Sequence, residues 1–266
     1  MRIATWNINS LRARMERVLA FLERHDVDVL ALQEIKAKPQ QLDLTALEAA
    51  GYEVAAHGLN QWNGVALISR VGLSDVRTAL PDLPTWPEDE TGVVEARALG
   101  GIVGDGLRIW SLYVPNGREI DHPHYAYKLR WLEALRAEGE RALAEDAASR
   151  TAFVGDFNVA PLDEDVWDID FFEGKTHVTE PERAAFTAVV DAGYADVVRL
   201  DHPGPGVYTY WDYQQLRFPK REGMRIDFVL GSPAVQKAVT GSFIDREERK
   251  GKGASDHAPV VADPEF

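Results

Sequence analysis

The sequence contains no cysteine, which excludes disulfides, thiolate metal sites, iron–sulfur clusters and a cysteine nucleophile. No uninterrupted apolar run approaches the roughly 20 residues that a membrane helix needs. The opening MRIATWNINS also lacks a basic region followed by an apolar stretch, so no secretory signal is expected. A soluble, cytoplasmic protein without membrane contact is the expectation. Basic residues are outnumbered: 29 Lys and Arg stand against 43 Asp and Glu, a formal charge of −14, which opposes unspecific attraction to polyanions. Low-complexity tracts, short repeats and linker-like segments are missing as well, so residues 1–266 are expected to form one domain. What is present is an ordinary globular composition, 45% hydrophobic and 27% charged, long enough to bury a sizeable core.

Residues 3–8 alternate as a strand does, and Leu11, Met15, Val18, Leu19 and Leu22 then recur at helical spacing behind Ser10 as a cap. Val27 to Leu32 reads as a second strand, giving a βαβ-like opening, with antiparallel pairing left open. Asn63-Gly64 is a hairpin-type turn signal before the run Val65 to Ser69. Further strands are predicted over Leu107 to Val114, Thr151 to Gly155, Ile226 to Leu230 and Pro259 to Ala262. Helices are predicted over Tyr125 to Asp146 and Glu182 to Ala192. Loops rich in Pro, Gly and acid fill residues 81–92 and 201–223.

Carboxylates and amides stand at the ends of these apolar strands. Asn7 ends the first, Glu34 follows the second in LQEIK, Asp156 and Asn158 follow Ala152 to Gly155, and Asp256 with His257 precede the last strand. Strand-end loops are where α/β folds gather catalytic groups. Each residue also has a plainer reading. Asp156 and Asn158 suit a simple turn, Glu34 a solvated strand end, and Asp256 with His257 a helix cap or local ion pair. Asp227, flanked by Ile226, Phe228, Val229 and Leu230, is costly to bury unpaired, and His257 is its natural partner. Together these groups match the demands of metal-assisted phosphodiester hydrolysis. Glu34, Asp256 and the Asn7 amide are hard oxygen ligands for magnesium or manganese. His257 oriented by Asp227 and water activation by Asp156 would supply acid–base chemistry, and Asn158 and Tyr113 hydrogen bonds to the phosphoryl group.

Seven motifs in order carry a family resemblance: WNINSLRAR, LQEIK, WNGVALIS, YVPNG, GDFNVAP, YTYWDY followed by RIDFVL, and SDHAPV. The chain resembles the exonuclease III branch of the endonuclease/exonuclease/phosphatase superfamily over nearly its whole length. The resemblance implies a single catalytic domain with the fold of a four-layered α/β sandwich, two mixed β-sheets packed face to face with helices outside. It implies Tyr113, Asp156, Asn158, Asp227 and His257 as catalytic residues and Asn7, Glu34 and Asp256 as metal ligands, with Asp156, Asn158 and His257 as further candidate ligands. The implied cofactor is Mg2+ or Mn2+. The implied function is a DNA-repair nuclease that incises 5′ to abasic sites and trims or cleans 3′ ends of double-stranded DNA. A phosphodiesterase or phosphatase acting on RNA or a small phosphate ester is the alternative, with a non-catalytic DNA-damage-binding protein behind it.

The resemblance also assigns a small apolar slot for an extruded abasic sugar to Tyr210, Met224 and Ile226, with Trp211 beside them. Arg12, Lys36 and Asn116 complete the expected DNA contacts. Arg14, Lys38, Arg217, Lys220, Arg221 and Arg225 are further basic groups for the backbone. The sequence departs from the family pattern at Gly92, Glu95 and Arg97 in ETGVVEAR. With no exposed apolar stripe evident, a monomer is expected.

Overall fold

The structure, a computed structural model, describes residues 1–87 and 90–266. Glu88 and Asp89, within the loop predicted over 81–92, lie outside the described residues. Strands and helices follow one another as β1 (Ile3–Asn7), α1 (Leu11–His25), β2 (Val29–Gln33), α2 (Thr45–Ala49), β3 (Glu53–His57), β4 (Val65–Ser69), β5 (Ser74–Arg77), β6 (Ala98–Val103), β7 (Leu107–Tyr113) and α3 (Pro123–Glu145). Then come β8 (Thr151–Asp156), α4 (Glu180–Asp191), β9 (Ala195–Asp196), α5 (Arg217–Lys220), β10 (Asp227–Gly231), α6 (Pro233–Ala238), β11 (Val239–Ile244) and β12 (Val260–Pro264). They form two six-stranded sheets, β11-β12-β1-β2-β4-β3 and β5-β6-β7-β8-β10-β9. Both sheets are mixed: β1–β2 and β7–β8 run parallel, and the other pairs run antiparallel.

The layering follows from the period-2 alternation of side chains along a strand. Ile3, Val29, Ala31, Val65 and Leu67 of one sheet meet Leu99, Ile109, Ala152, Val154 and Val229 of the other in a single apolar cluster. Their chain neighbours Ala4, Trp6, Leu30, Leu32, Ala66 and Ile68 point the opposite way, onto Leu11, Val18, Phe21 and Leu22 of α1. On the far side Trp110, Leu112, Phe153, Phe228 and Leu230 pack on Tyr127, Trp131, Leu132 and Leu135 of α3 and on Phe186 and Val189 of α4. The fold is therefore the expected four-layered α/β sandwich. Burying one such large side chain contributes about 1.5–3 kcal/mol.

Several local expectations need correction. Ser10 sits at the start of α1 but makes no capping hydrogen bond, having φ 88°. A capping box does form at α4, between Thr179 and Glu182, and α4 itself begins at Glu180, two residues before the predicted start. Asn63-Gly64 does not close a two-residue hairpin, because β3 and β4 are joined by residues 58–64. Strands β3, β5, β6, β9 and β11 escape a pattern search for physical reasons. All four residues of β5 are exposed, and β6 carries Gly100, where any Cβ would lie 2.6 Å from the Trp110 indole.

Candidate active site

Parallel pairing brings the strand-end residues of both sheets to one end of the sandwich. Asn7 and Gln33 are paired at the ends of β1 and β2, and Tyr113 and Asp156 at the ends of β7 and β8. Asp227, the first residue of β10, lies opposite Asp156. The junction between sheets is direct: Asn7 Nδ2 donates to Asp156 Oδ2 at 3.0 Å and to Glu34 Oε1 at 2.8 Å. Within the second sheet, Gly155 lets β8 lie close against β7. Its φ is 145°, and a Cβ there would fall 1.9 Å from the Leu112 carbonyl oxygen. Glu34, Lys36 and Asn158 also hold positive φ values of 51°, 53° and 52°, a concentration of uncommon backbone geometry that accompanies functional sites.

His257 arrives from the loop before β12, anchored by Trp6 Nε1 donating to its carbonyl at 3.1 Å and by a bridge to Tyr210. Its Nδ1 donates to Asp227 Oδ2 at 2.8 Å, and Nε2 stands 3.8 Å from Asp156 Oδ2. Burial disfavours the imidazolium, but the Asp227 contact outweighs it with help from Asp156 and Asp256, and His257 is held up to about 10. Burial pushes the Asp156 carboxyl up to about 7, with Asp227 adding to the shift and His257 opposing it. Burial also works against ionised Glu34, yet Lys36 and the Asn7 amide hold it below the ordinary carboxylate value. Tyr113 is pushed well up by burial and by Glu34, so its phenol is a hydrogen-bond donor at neutral pH.

The donor set fits a hard divalent cation. Ligand atoms of Glu34, Asp156 and His257 lie within 4.8 Å of one another, and Asp227 Oδ1 is buried without a hydrogen-bond partner. Oxygen donors with one imidazole suit magnesium or manganese. Asp256 lines the same cavity, and its Oδ1 accepts from Asn9 Nδ2 at 3.0 Å. Asn7 turns its NH2 toward the carboxylates while its oxygen accepts the Asn9 amide, so it holds the carboxylates together. Asn158 makes a turn and belongs to the site at once. Its amide N–H donates to Asp156 Oδ1 at 2.9 Å, its Nδ2 to the Val114 carbonyl at 3.0 Å, and its Oδ1 accepts from Asn116 Nδ2 at 3.1 Å.

These groups line a cavity of about 200 Å3 that also takes in His177, Tyr210, Met224 and Ile226. A larger cavity of about 640 Å3 adjoins it and shares His177, Tyr210 and Met224. Trp211 is corrected out of the slot: it is buried, with its ring against Tyr208 and Phe218. Arg225 is likewise not a free basic group, because it is buried in ion pairs with Asp165 and Asp196. Lys36, half-buried, turns its ammonium to Glu34 Oε2 at 2.9 Å and Asn9 Oδ1 at 2.6 Å. Arg12 is exposed on the first turn of α1.

Sequence reasoning missed three residues here. His177, with Nε2 3.1 Å from Asn158 Oδ1, lies in a loop with no strand-end signature. Lys128 is buried behind the site, donating to the Asn158 carbonyl at 2.6 Å, and in the sequence it looks like any helical lysine. Asn9 was within reach, two residues after Asn7 in WNINS. The Glu95 and Arg97 departures are paired with each other, and the Arg97 guanidinium lies 4.7 Å from the Tyr113 ring centre.

Comparison with known proteins agrees with this geometry. Residues 4–257 match the Endonuclease/Exonuclease/phosphatase family. Exodeoxyribonuclease III of Haemophilus influenzae is 27% identical over 271 residues, 99% of each chain. The solved 3′ phosphatase NExo from Neisseria, bound to a product DNA hairpin, superposes with TM-score 0.92 at 34% identity, covering 100% of both chains. An AP endonuclease from Archaeoglobus fulgidus superposes with TM-score 0.91 at 31% identity, again over 100% of both. Strand-end carboxylates converged between two sheets, on a chain matched along almost its entire length, mean that this protein belongs to the endonuclease/exonuclease/phosphatase family, in its exonuclease III branch.

Proposed function

We propose that this nuclease hydrolyses phosphodiesters of double-stranded DNA at 3′ ends and on the 5′ side of abasic sites, acting as a monomeric, single-domain cytoplasmic enzyme with magnesium or manganese. The observation that carries the proposal is the Asp227–His257–Asp156 chain, of which His257 and Asp156 line one cavity with Glu34. One bond breaks in every case, the one between phosphorus and the 3′ oxygen. A water oxygen attacks phosphorus in line, the 3′ oxygen leaves and takes up a proton, and no covalent enzyme intermediate is needed.

The residues divide this work. Asp156, its carboxyl poised at about 7, orients the water and accepts its proton. His257, kept protonated by Asp227, donates to a non-bridging phosphoryl oxygen, as does the Tyr113 phenol. Asn116 and the buried Asn158 supply further polar contact in the cavity wall. Glu34, with Asp256 and Asp156 nearby, would hold the metal, which would supply charge neutralisation to the phosphoryl group, while the protonated His257 keeps its donor role.

The test is cleavage of end-labelled duplexes carrying an internal abasic site, a recessed 3′ hydroxyl end or a 3′ phosphate, in magnesium, manganese or chelator, with His257→Ala as control. Metal-dependent products that the variant loses are expected. No cleavage by the native protein with either metal overturns the proposal, and hydrolysis confined to RNA or small esters replaces it.

A further inference from the structure

The larger cavity is not used by the chemistry above. Its wall is aromatic: the Trp167 and Phe171 ring centres are 4.9 Å apart, and Phe171 meets Phe172 edge-on at 5.2 Å. Phe172 packs with Val166, Met224 and Ile226 in the floor that also underlies the catalytic cavity. Phe171 remains 39% exposed. Lys175 Nζ lies 3.3 Å from the centre of the Phe171 ring, and the Arg217 guanidinium 4.7 Å from it and 4.9 Å from that of Trp167. The exposed Phe171, the half-exposed Trp167 and the flat Arg217 guanidinium over both rings together offer a stacking surface for a nucleobase, whatever its identity. Glu119, Asp121, Asp212 and Glu222 line the same space. Arg118, Lys175 and Arg217 line it too, and Arg217 is paired with Glu222, so the charges nearly balance and the wall suits an uncharged occupant.

The reaction determines what reaches this space. When the bond to the 3′ oxygen breaks, the phosphorus carries the 5′ oxygen of whatever is being removed. A 3′ phosphate carries no nucleoside and needs only the smaller cavity. An abasic residue adds a sugar, and an ordinary terminal nucleotide adds both sugar and base. A cavity of about 640 Å3 is within the range that encloses a ligand of nucleoside size, and it shares His177, Tyr210 and Met224 with the catalytic cavity. Resting on the nuclease reading above, we propose that this cavity seats the unstacked base of the 3′-terminal nucleotide against Phe171 and Trp167, so that base-bearing 3′ ends are favoured substrates. Unstacking a terminal base is the least costly place in a duplex to extrude one.

The test compares three otherwise identical recessed duplexes, ending in an ordinary nucleotide, a tetrahydrofuran residue without a base, or a 3′ phosphate. Phe171→Ala and Trp167→Ala are each expected to lower kcat/KM on the ordinary nucleotide by about 10-fold, with little change on the other two, while Phe171→Trp restores it. Thermal melting of the variants controls for folding. Equal losses on all three substrates, or no loss on the base-bearing end, overturn the seat for the base while leaving the nuclease intact. Native protein that cleaves none of the three in magnesium or manganese overturns the nuclease reading, and this inference with it.

Discussion

Replacing Lys128 by methionine is expected to destabilise the protein by about 3–5 kcal/mol, and the surroundings of Lys128 show why. Lys128 and Glu182 are fully buried and form an ion pair between α3 and α4. The ammonium also donates to the Asn158 carbonyl at 2.6 Å and the Asn116 carbonyl at 3.3 Å, so each of its protons has an acceptor. Burial works against both charges, yet the mutual contact holds Glu182 below its ordinary value. Methionine matches the length of the stem but strands a carboxylate in a dry interior. Thr179, its hydroxyl at 2.7 Å and its amide at 3.2 Å from Oε2, and the His177 backbone then remain as partners of Glu182. For a chain near this size, 1 kcal/mol moves the melting temperature by about 2–4 °C, so a fall of roughly 10 °C is expected. Adding Glu182→Gln removes the stranded charge and should recover about 1–3 kcal/mol. Because the two carbonyls belong to the turns that present Asn116 and Asn158, turnover should fall in Lys128→Met even well below its melting point. Urea unfolding of the native, single and double forms checks the magnitudes. A loss under about 1 kcal/mol, or a double variant no more stable than the single, would refute the claim that the buried pair braces the site.

Other perturbations are equally concrete. His257→Ala or Asp227→Asn should lower turnover by on the order of 100-fold or more with little change in KM, measured by steady-state cleavage of labelled duplex; near-native rates in both would remove their assigned roles. Gly155→Ala should destabilise by on the order of 3 kcal/mol or more, since its Cβ has no space beside the Leu112 carbonyl; a soluble variant of native melting temperature contradicts this. His124, whose Nδ1 accepts the Gly117 amide N–H, is lowered to about 3 by burial and by nearby Arg97, Arg118 and Lys128. Its folded form therefore stays neutral while the unfolded chain takes up a proton below about 6.5. Its contribution to stability is present above that pH and is lost as pH falls toward 3, at most about 5 kcal/mol. Denaturant titrations from pH 7 to 4 should show a shallower decline for His124→Gln than for the native protein, and parallel curves contradict the assignment.

The site was legible in the sequence to an uneven degree. Asn7, Glu34, Asp156, Asp227 and His257 stood out because each is polar at the edge of an apolar strand, where burial demands a partner or a purpose. The Asp227–His257 contact followed from that demand. His177, Lys128 and the 167–177 wall carry no such signature, since loops and helix faces hold polar and aromatic residues for many reasons. Trp211 and Arg225 misled because their motif neighbours Tyr210 and Met224 do face the cavities. Alternation along an irregular loop does not say which side is open.

The sequence by itself determined the class of chemistry, through the absence of cysteine and the recurrence of oxygen-bearing side chains at strand ends. Its strand and helix periodicities gave a single α/β domain, while the four layers came from the family resemblance carried by the ordered motifs. Apart from the Asp227–His257 pair, only the tertiary structure decided which groups meet, and it alone decided every distance. The 3.0 Å contact between Asn7 and Asp156 spans 149 residues, and the Asp227–His257 pair spans 30. Such distances depend on the register of β7, β8 and β10 and on the packing of two sheets. They are properties of the folded whole, because hydrogen-bond geometry tolerates only tenths of an ångström and a one-residue slip turns every side chain to the other face.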